Sequence, residues 1–248
     1  MRSFSLIWCR ELMAYFLSPL AYVIMIFFLA VMGYSFWFLA ELLAGGNAGV
    51  SVMNELFGSF FFWMPMLVVT PVLTMRLLAE EKRSGTIETL LTAPVSDAAV
   101  VLGKYAGALS FFAVMWLPTA AYAFILRRLS AESAPIDAGP LLAGYLGTLL
   151  VAAFYLSWGV LCSALTGNQV IAAMATFAML AMVFFAGLLG DSTHNELLRQ
   201  ACNYISSVKH MRDFARGAID SRPIVFHLSG AAFLLFAAIR LLDSRHWK

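Results

Sequence analysis

Charge is scarce in this chain. Only 12% of its 248 residues are Asp, Glu, Lys or Arg, against about 25% in a soluble domain. Neither sign is in excess: the net charge is +2 and no block of like charge occurs. That argues against nucleic acid as a partner. Cysteine is equally sparse. Cys9, Cys162 and Cys202 have no metal-ligand spacing and indicate no disulfide framework. Cys9 and Cys162 fall in apolar helical stretches, where a thiol is expected to act as a small hydrophobe. Catalytic motifs are missing too. Gly103-Lys104 is followed by Tyr105, and Ala98 stands where a phosphate-binding loop needs its first glycine. There is no H-E-x-x-H, no G-x-S-x-G and no Cys/His cluster. The expectation is therefore no catalytic residue, no metal and no cofactor on this chain. His194, His210, His227 and His246 are scattered and read as interfacial polar side chains.

What is abundant is apolar surface. Hydrophobic residues make up 62% of the chain, more than a soluble interior of this size can hold. Six runs have the roughly 20-residue length needed to cross a bilayer: about 20–40, 56–78, 103–126, 141–165, 170–190 and 224–242. Without water to satisfy backbone groups, such runs must be helical. The fold class is all-α, a polytopic membrane protein with both termini on one side. Before the first run, Phe4, Ile7, Trp8, Leu12, Tyr15 and Phe16 recur at helical spacing, with Arg2, Ser3, Ser5 and Arg10 opposite. Residues 1–18 thus read as a helix lying in the membrane surface, turned into the first span at Pro19. This leader also argues against a cleaved signal peptide.

Orientation follows from Lys and Arg in short loops. The loop 41–55 has none, whereas Arg76, Lys82, Arg83 and Lys104 flank the next connection, and Arg2, Arg10, Arg240, Arg245 and Lys248 lie toward the termini. Cytoplasmic termini are expected. Arg127 and Arg128 run against the rule, and the sequence offers no account of them.

The middles of all six runs are uncharged, unlike the ionisable residues that mark ion-coupled pumps. The informative segment is 76–107. Glu80 to Arg83 read as a charged helical turn, with Gly85 able to end it in a left-handed conformation. Residues 86–92 form a short two-faced helix, Ile87, Leu90 and Leu91 against Glu88, Thr89 and Thr92, stopped by Pro94. Ser96 is a plausible N-cap, with Asp97 favourable in the next helix's first turn. The coupling region is set at 79–97, with the short helix as a docking element for a cytoplasmic partner.

These residues resemble a known family. Glu80-Glu81-Lys82-Arg83-Ser84-Gly85-Thr86-Ile87-Glu88-Thr89-Leu90-Leu91, then Ala93-Pro94-Val95 and Gly103-Lys104-Tyr105, look like the signature region of ABC-2-type permeases. The nearest group is the gliding-motility-associated and nitrous-oxide-reductase-maturation-like permeases. The likeness continues at Leu165-Thr166-Gly167-Asn168-Gln169, then at 205–210, Phe214, Arg216, Gly217 and 219–222. Val208 departs from a shorter Ser-Pro-type turn in many relatives, which touches only local shape. The resemblance implies one transmembrane domain over 1–248 in the cytoplasmic (inner) membrane, working as a homo- or heterodimer with separate ATPase subunits. ATP and magnesium would sit on those subunits. It implies an ATPase-facing region of Glu80, Glu81, Arg83, Gly85, Thr86, Ile87, Glu88, Thr89 and Leu91. It implies a minor cytoplasmic loop with Asn168 and Gln169. The segment 191–222, with Phe214, Arg216, Gly217 and Asp220, would form short helices on the outer face. The expected function is an ATP-driven permease subunit, an exporter. Two rivals remain: a membrane anchor recruiting a cytoplasmic complex, and an energy-independent transporter or channel.

Mechanically, a push on 86–92 would tilt the two adjoining spans together. Pro65, Pro71 and Pro118 would kink their spans, as hinges or as fixed bends. Gly103 and Gly107, four apart, would allow close helix packing.

Overall fold

The computed structural model describes residues 2–44, 52–85, 96–129, 138–193 and 195–244. Every regular element among them is helical. The chain opens with α1 (Arg2–Leu17), and Ser18 separates it from α2 (Pro19–Ala44). Pro19 takes the first helical position of α2, where its missing N–H costs nothing. Next come α3 (Val52–Gly58), α4 (Phe60–Thr74) and α5 (Ala79–Ser84). These three form one bent membrane crossing, Val52–Ser84. The bends fall at Ser59 and at 75–78, and Pro65 and Pro71 lie inside α4.

Helix α6 (Asp97–Trp116) starts at Ser96, whose hydroxyl accepts the Ala99 amide at 3.3 Å. A 3-10 turn, Leu117–Thr119, contains Pro118 and leads into α7 (Ala120–Leu129). The long helix α8 (Ala138–Leu165) is followed by α9 (Gln169–Ser192). Two short helices, α10 (Glu196–Ile205) and α11 (Ser207–Ala215), precede the last span, α12 (Ser221–Asp243). Six helical stretches are long and apolar enough to cross a membrane. The protein is an all-α, multi-pass membrane protein.

Helix α8 is the axis of the bundle. In its most apolar stretch 78% of residues are buried, against 28% for α2, α9 and α12, whose outer faces are left for lipid. Helices α4, α6, α9, α11 and α12 all pack on α8. Aromatic side chains fill the centre: Phe62 lies 5.1 Å from Trp63 and 5.4 Å from Trp116, ring centre to ring centre. By contrast, α10 buries none of its residues. Its exposed Leu197, Leu198 and Tyr204 suit a helix lying at the bilayer surface.

Helix α1 packs along α6. A Cβ at Gly103 would come within 2.8 Å of Ile7, and one at Gly107 within 2.8 Å of Glu11. The two glycines therefore form the shallow track on which α1 lies.

Candidate functional site

Of the coupling-region residues singled out above, Thr86, Ile87, Glu88, Thr89 and Leu91 lie outside the described residues. The structure places those just before them. Glu80, Glu81 and Arg83 sit on α5, with Glu80 and Arg83 exposed. Gly85 ends α5 at φ +71°, a left-handed conformation that a side chain disfavours. Ser84 donates back to the Glu80 carbonyl at 2.9 Å.

The cationic centre is Lys104, on the second turn of α6. It is 3% exposed. Its ammonium lies 2.8 Å from Glu11 of α1 and 2.8 Å from Glu81 of α5. Arg10, at the rim, reaches Glu11 at 3.4 Å and Glu81 at 3.8 Å. A buried ammonium needs this company, because removing one partner of a buried pair costs about 3–5 kcal/mol. Three separate chain segments are thus tied through one side chain. Glu81 Oε2 is buried with no partner among the described residues. A cavity of about 180 Å³ opens beside the cluster, lined by Glu11, Tyr15, Arg76, Glu80, Glu81 and Lys104.

The break at 75–78 is held by side chains from other helices. Tyr15 of α1 donates its hydroxyl to the Leu73 carbonyl at 2.7 Å. Burial first, then Glu11, push this phenol well above its ordinary pKa, so it stays a donor. Ser163 of α8 accepts the amides of Leu78 at 3.1 Å and Ala79 at 3.0 Å. Arg76 reaches Ser18 at 3.3 Å. Orphan backbone groups at a helix end need such partners. Gly159 of α8 lets Thr74 pack where any Cβ would overlap it.

The minor loop comes to the same place. Lys82 of α5 donates to the Ala164 carbonyl. Asn168 N-caps α9, accepting the amides of Val170 at 2.9 Å and Ile171 at 3.4 Å, while Gln169 is the first residue of that helix. The end of the second span and the 164–168 turn therefore form one surface.

The four residues singled out in 191–222 hold the fold. Phe214 is 1% exposed and packs where a Cβ on Gly147 would come within 2.7 Å of its ring. Arg216 is the C-cap of α11, and Gly217 follows at φ +79°. Asp220 N-caps α12 through the Arg222 amide at 3.1 Å.

Two histidines differ from the interfacial reading. His210 and His227 are buried, ring centres 5.3 Å apart. His227 Nδ1 lies 2.7 Å from the Pro223 carbonyl, and its Nε2 lies 3.5 Å from Ser207 Oγ. Burial pushes His210 below the ordinary histidine range, against the opposite pull of Asp213 and Asp220. Cys9 also differs: it is exposed on α1. The helix turns its apolar stripe onto α6, and position 9 faces away.

Glu11 was the residue that the sequence reading passed over. Phe4, Ile7, Trp8, Glu11 and Tyr15 share one helical stripe, so a lone acid sits among apolar neighbours. Such an acid calls for a buried cation, and Lys104 is that cation.

The ends of the second, third and fourth spans, with α1, thus meet at one ionic junction on the termini side of a six-span bundle. No curated protein matches the chain. The family model described as ABC-2 family transporter protein matches residues 40–208, from the end of the first span, through Glu81 and Lys104 of the junction, to the start of α11. The chain belongs to the ABC-2 family of transporter proteins, the transmembrane components of ABC transporters.

Proposed function

We propose that this chain is the permease subunit of an ATP-driven exporter and that its ionic junction receives the work of a separate ATPase. The observation that carries this reading is Lys104 held between Glu11 and Glu81. A force on the segment 86–95, which joins α5 to α6, reaches both helices and, through the same ammonium, α1. Ser163 and Lys82 pass it to the end of α8. The exposed Glu80 and Arg83 offer charge to an ATPase surface. The termini and the junction are then cytoplasmic, and the membrane is the inner one.

Two copies, or this chain and a paralogue, would pair around the transport path, with ATP and magnesium on the ATPases. The motifs at 80–91 and 205–222 support the narrower likeness to gliding-motility and nitrous-oxide-reductase-maturation permeases.

The test is reconstitution with the ATPase partner, comparing the unmodified chain with Lys104→Met and Arg83→Glu. Arg83→Glu should weaken assembly with the ATPase. Lys104→Met should leave assembly intact and cut nucleotide-driven movement at the far face at least tenfold. Full movement in both variants contradicts the reading. Single cysteines give the orientation: Ser84→Cys should react only from the cytoplasmic side, and Ile219→Cys only from outside.

A further inference from the structure

The second crossing is longer than a bilayer needs. Its 33 residues exceed the roughly 20 that the ~30 Å hydrocarbon layer needs. Helix α3 therefore projects into the headgroup zone at the face opposite the termini. There, against the last turns of α2, lies a cavity of about 230 Å³ lined by Phe38, Leu39, Leu42, Glu55, Ser59 and Phe61. A packing flaw between membrane helices would be walled by carbon. This one has a carboxylate, Glu55, with no ion pair or hydrogen bond among the described residues. It also has a hydroxyl, Ser59 Oγ, buried without a partner. Ser59 occupies the N-cap of α4 yet makes no capping bond with its side chain. An unsatisfied polar atom at that depth is costly.

Phe38, Phe60 and Phe61 supply the aromatic part of the wall, and further rings pack against them. Tyr34 lies 5.2 Å and Phe38 6.1 Å from Phe61, and Trp37 packs 5.6 Å from Tyr34. Phe60, part of the lining, is exposed. Rings at headgroup depth attract ammonium ions, and Glu55 adds the opposite charge. The positive end of the α4 dipole, at Ser59, favours an anion a few ångströms away. A ligand with both charges close together matches both. The volume falls below the ~300 Å³ typical of small-molecule pockets, so it holds a headgroup and the first methylenes of a chain, not a whole lipid.

We propose that this cavity binds the headgroup of phosphatidylethanolamine from the leaflet opposite the termini. The ammonium donates to Glu55 and lies against Phe61, Ser59 donates to the phosphate, and the first acyl carbons run inward along Phe38 and Ser35. A choline head has no N–H to give Glu55, and a glycerol head has no cation.

The test is native mass spectrometry of the full chain in detergent, titrated separately with phosphatidylethanolamine, phosphatidylcholine and phosphatidylglycerol. The unmodified chain should retain phosphatidylethanolamine at least tenfold better than phosphatidylglycerol, with phosphatidylcholine between. Glu55→Gln, which keeps the shape, should remove that preference. Ser35→Phe, which fills the cavity from α2, should lower retention of all three. Equal retention of all three lipids by the unmodified chain means an ordinary annular contact and overturns the proposal. An undiminished preference in Glu55→Gln overturns it equally. If a variant fails to fold, the comparison of lipids on the unmodified chain decides alone.

Discussion

The two ends of the bundle hold buried polar groups in opposite ways. At the termini side, Lys104, Glu11 and Glu81 are ion-paired, come from three elements and border a cavity. At the far side, His210, His227, Ser207 and Tyr155 are buried, and the two imidazoles pack edge to face with Phe154 and Phe226. Ion pairs between side chains of three elements tie those elements into one unit. Rings in a dry interior can only pack or come apart. The first arrangement suits a joint that transmits motion; the second suits a cap that keeps α11 on α8 and α12.

The contrast breaks most sharply at Lys104. Lys104→Met leaves Glu11 and Glu81 facing each other, and a loss of about 3 kcal/mol is expected in a denaturation series. Replacing all three at once (Lys104→Met, Glu11→Gln, Glu81→Gln) removes the stranded charge. Stability should then return to within about 1 kcal/mol of the parent, while the ATPase-driven movement stays lost. Recovery of both would make the junction a mere packing device.

At the other end, His227→Phe removes the contacts to Pro223 and Ser207 but keeps a ring. It should cost about 1–2 kcal/mol in thermal unfolding and leave ATPase coupling unchanged. The smallest effect concerns pH. Because burial depresses His210, its contribution to stability is full above the ordinary histidine value of about 6.5. It declines as pH falls through that value toward the depressed one. His210→Gln should flatten this slope in melting curves taken between pH 7.5 and 5, with Asp213 and Asp220 unchanged.

The six spans were legible because apolar runs of bilayer length allow one structure only. The stop at Gly85 and the cap at Ser96 are legible from local backbone chemistry, and Asp220 caps α12 by the same chemistry. The junction was not read, because it joins residues 93 positions apart, and helical periodicity does not pair one helix with another. Its two signals, an acid in the apolar stripe of α1 and a lysine between two glycines' worth of close packing on α6, gain meaning only together. His210 and His227 misled for the opposite reason. Residues near a span's predicted end look interfacial until α11 folds back and covers them. Proline was ambiguous as well: Pro65 and Pro71 stay inside α4, whereas Pro118 marks a change of helix type.

The most direct test locks α1 to α6. With Cys9, Cys162 and Cys202 replaced, cysteines at Ile7 and Gly103, whose Cβ positions lie 3.0 Å apart and open by about 0.5 Å to reach disulfide range, should oxidise to a disulfide, with the reduced form as the control for the side chain added at Gly103. If α1, α5 and α6 move as one unit, the oxidised protein, reconstituted with its ATPase, keeps the nucleotide-driven change in labelling at Ile219→Cys, and the disulfide partly restores it in Lys104→Met. Loss of that change on oxidation, with recovery on reduction, would show that α1 must part from α6 and would contradict the account.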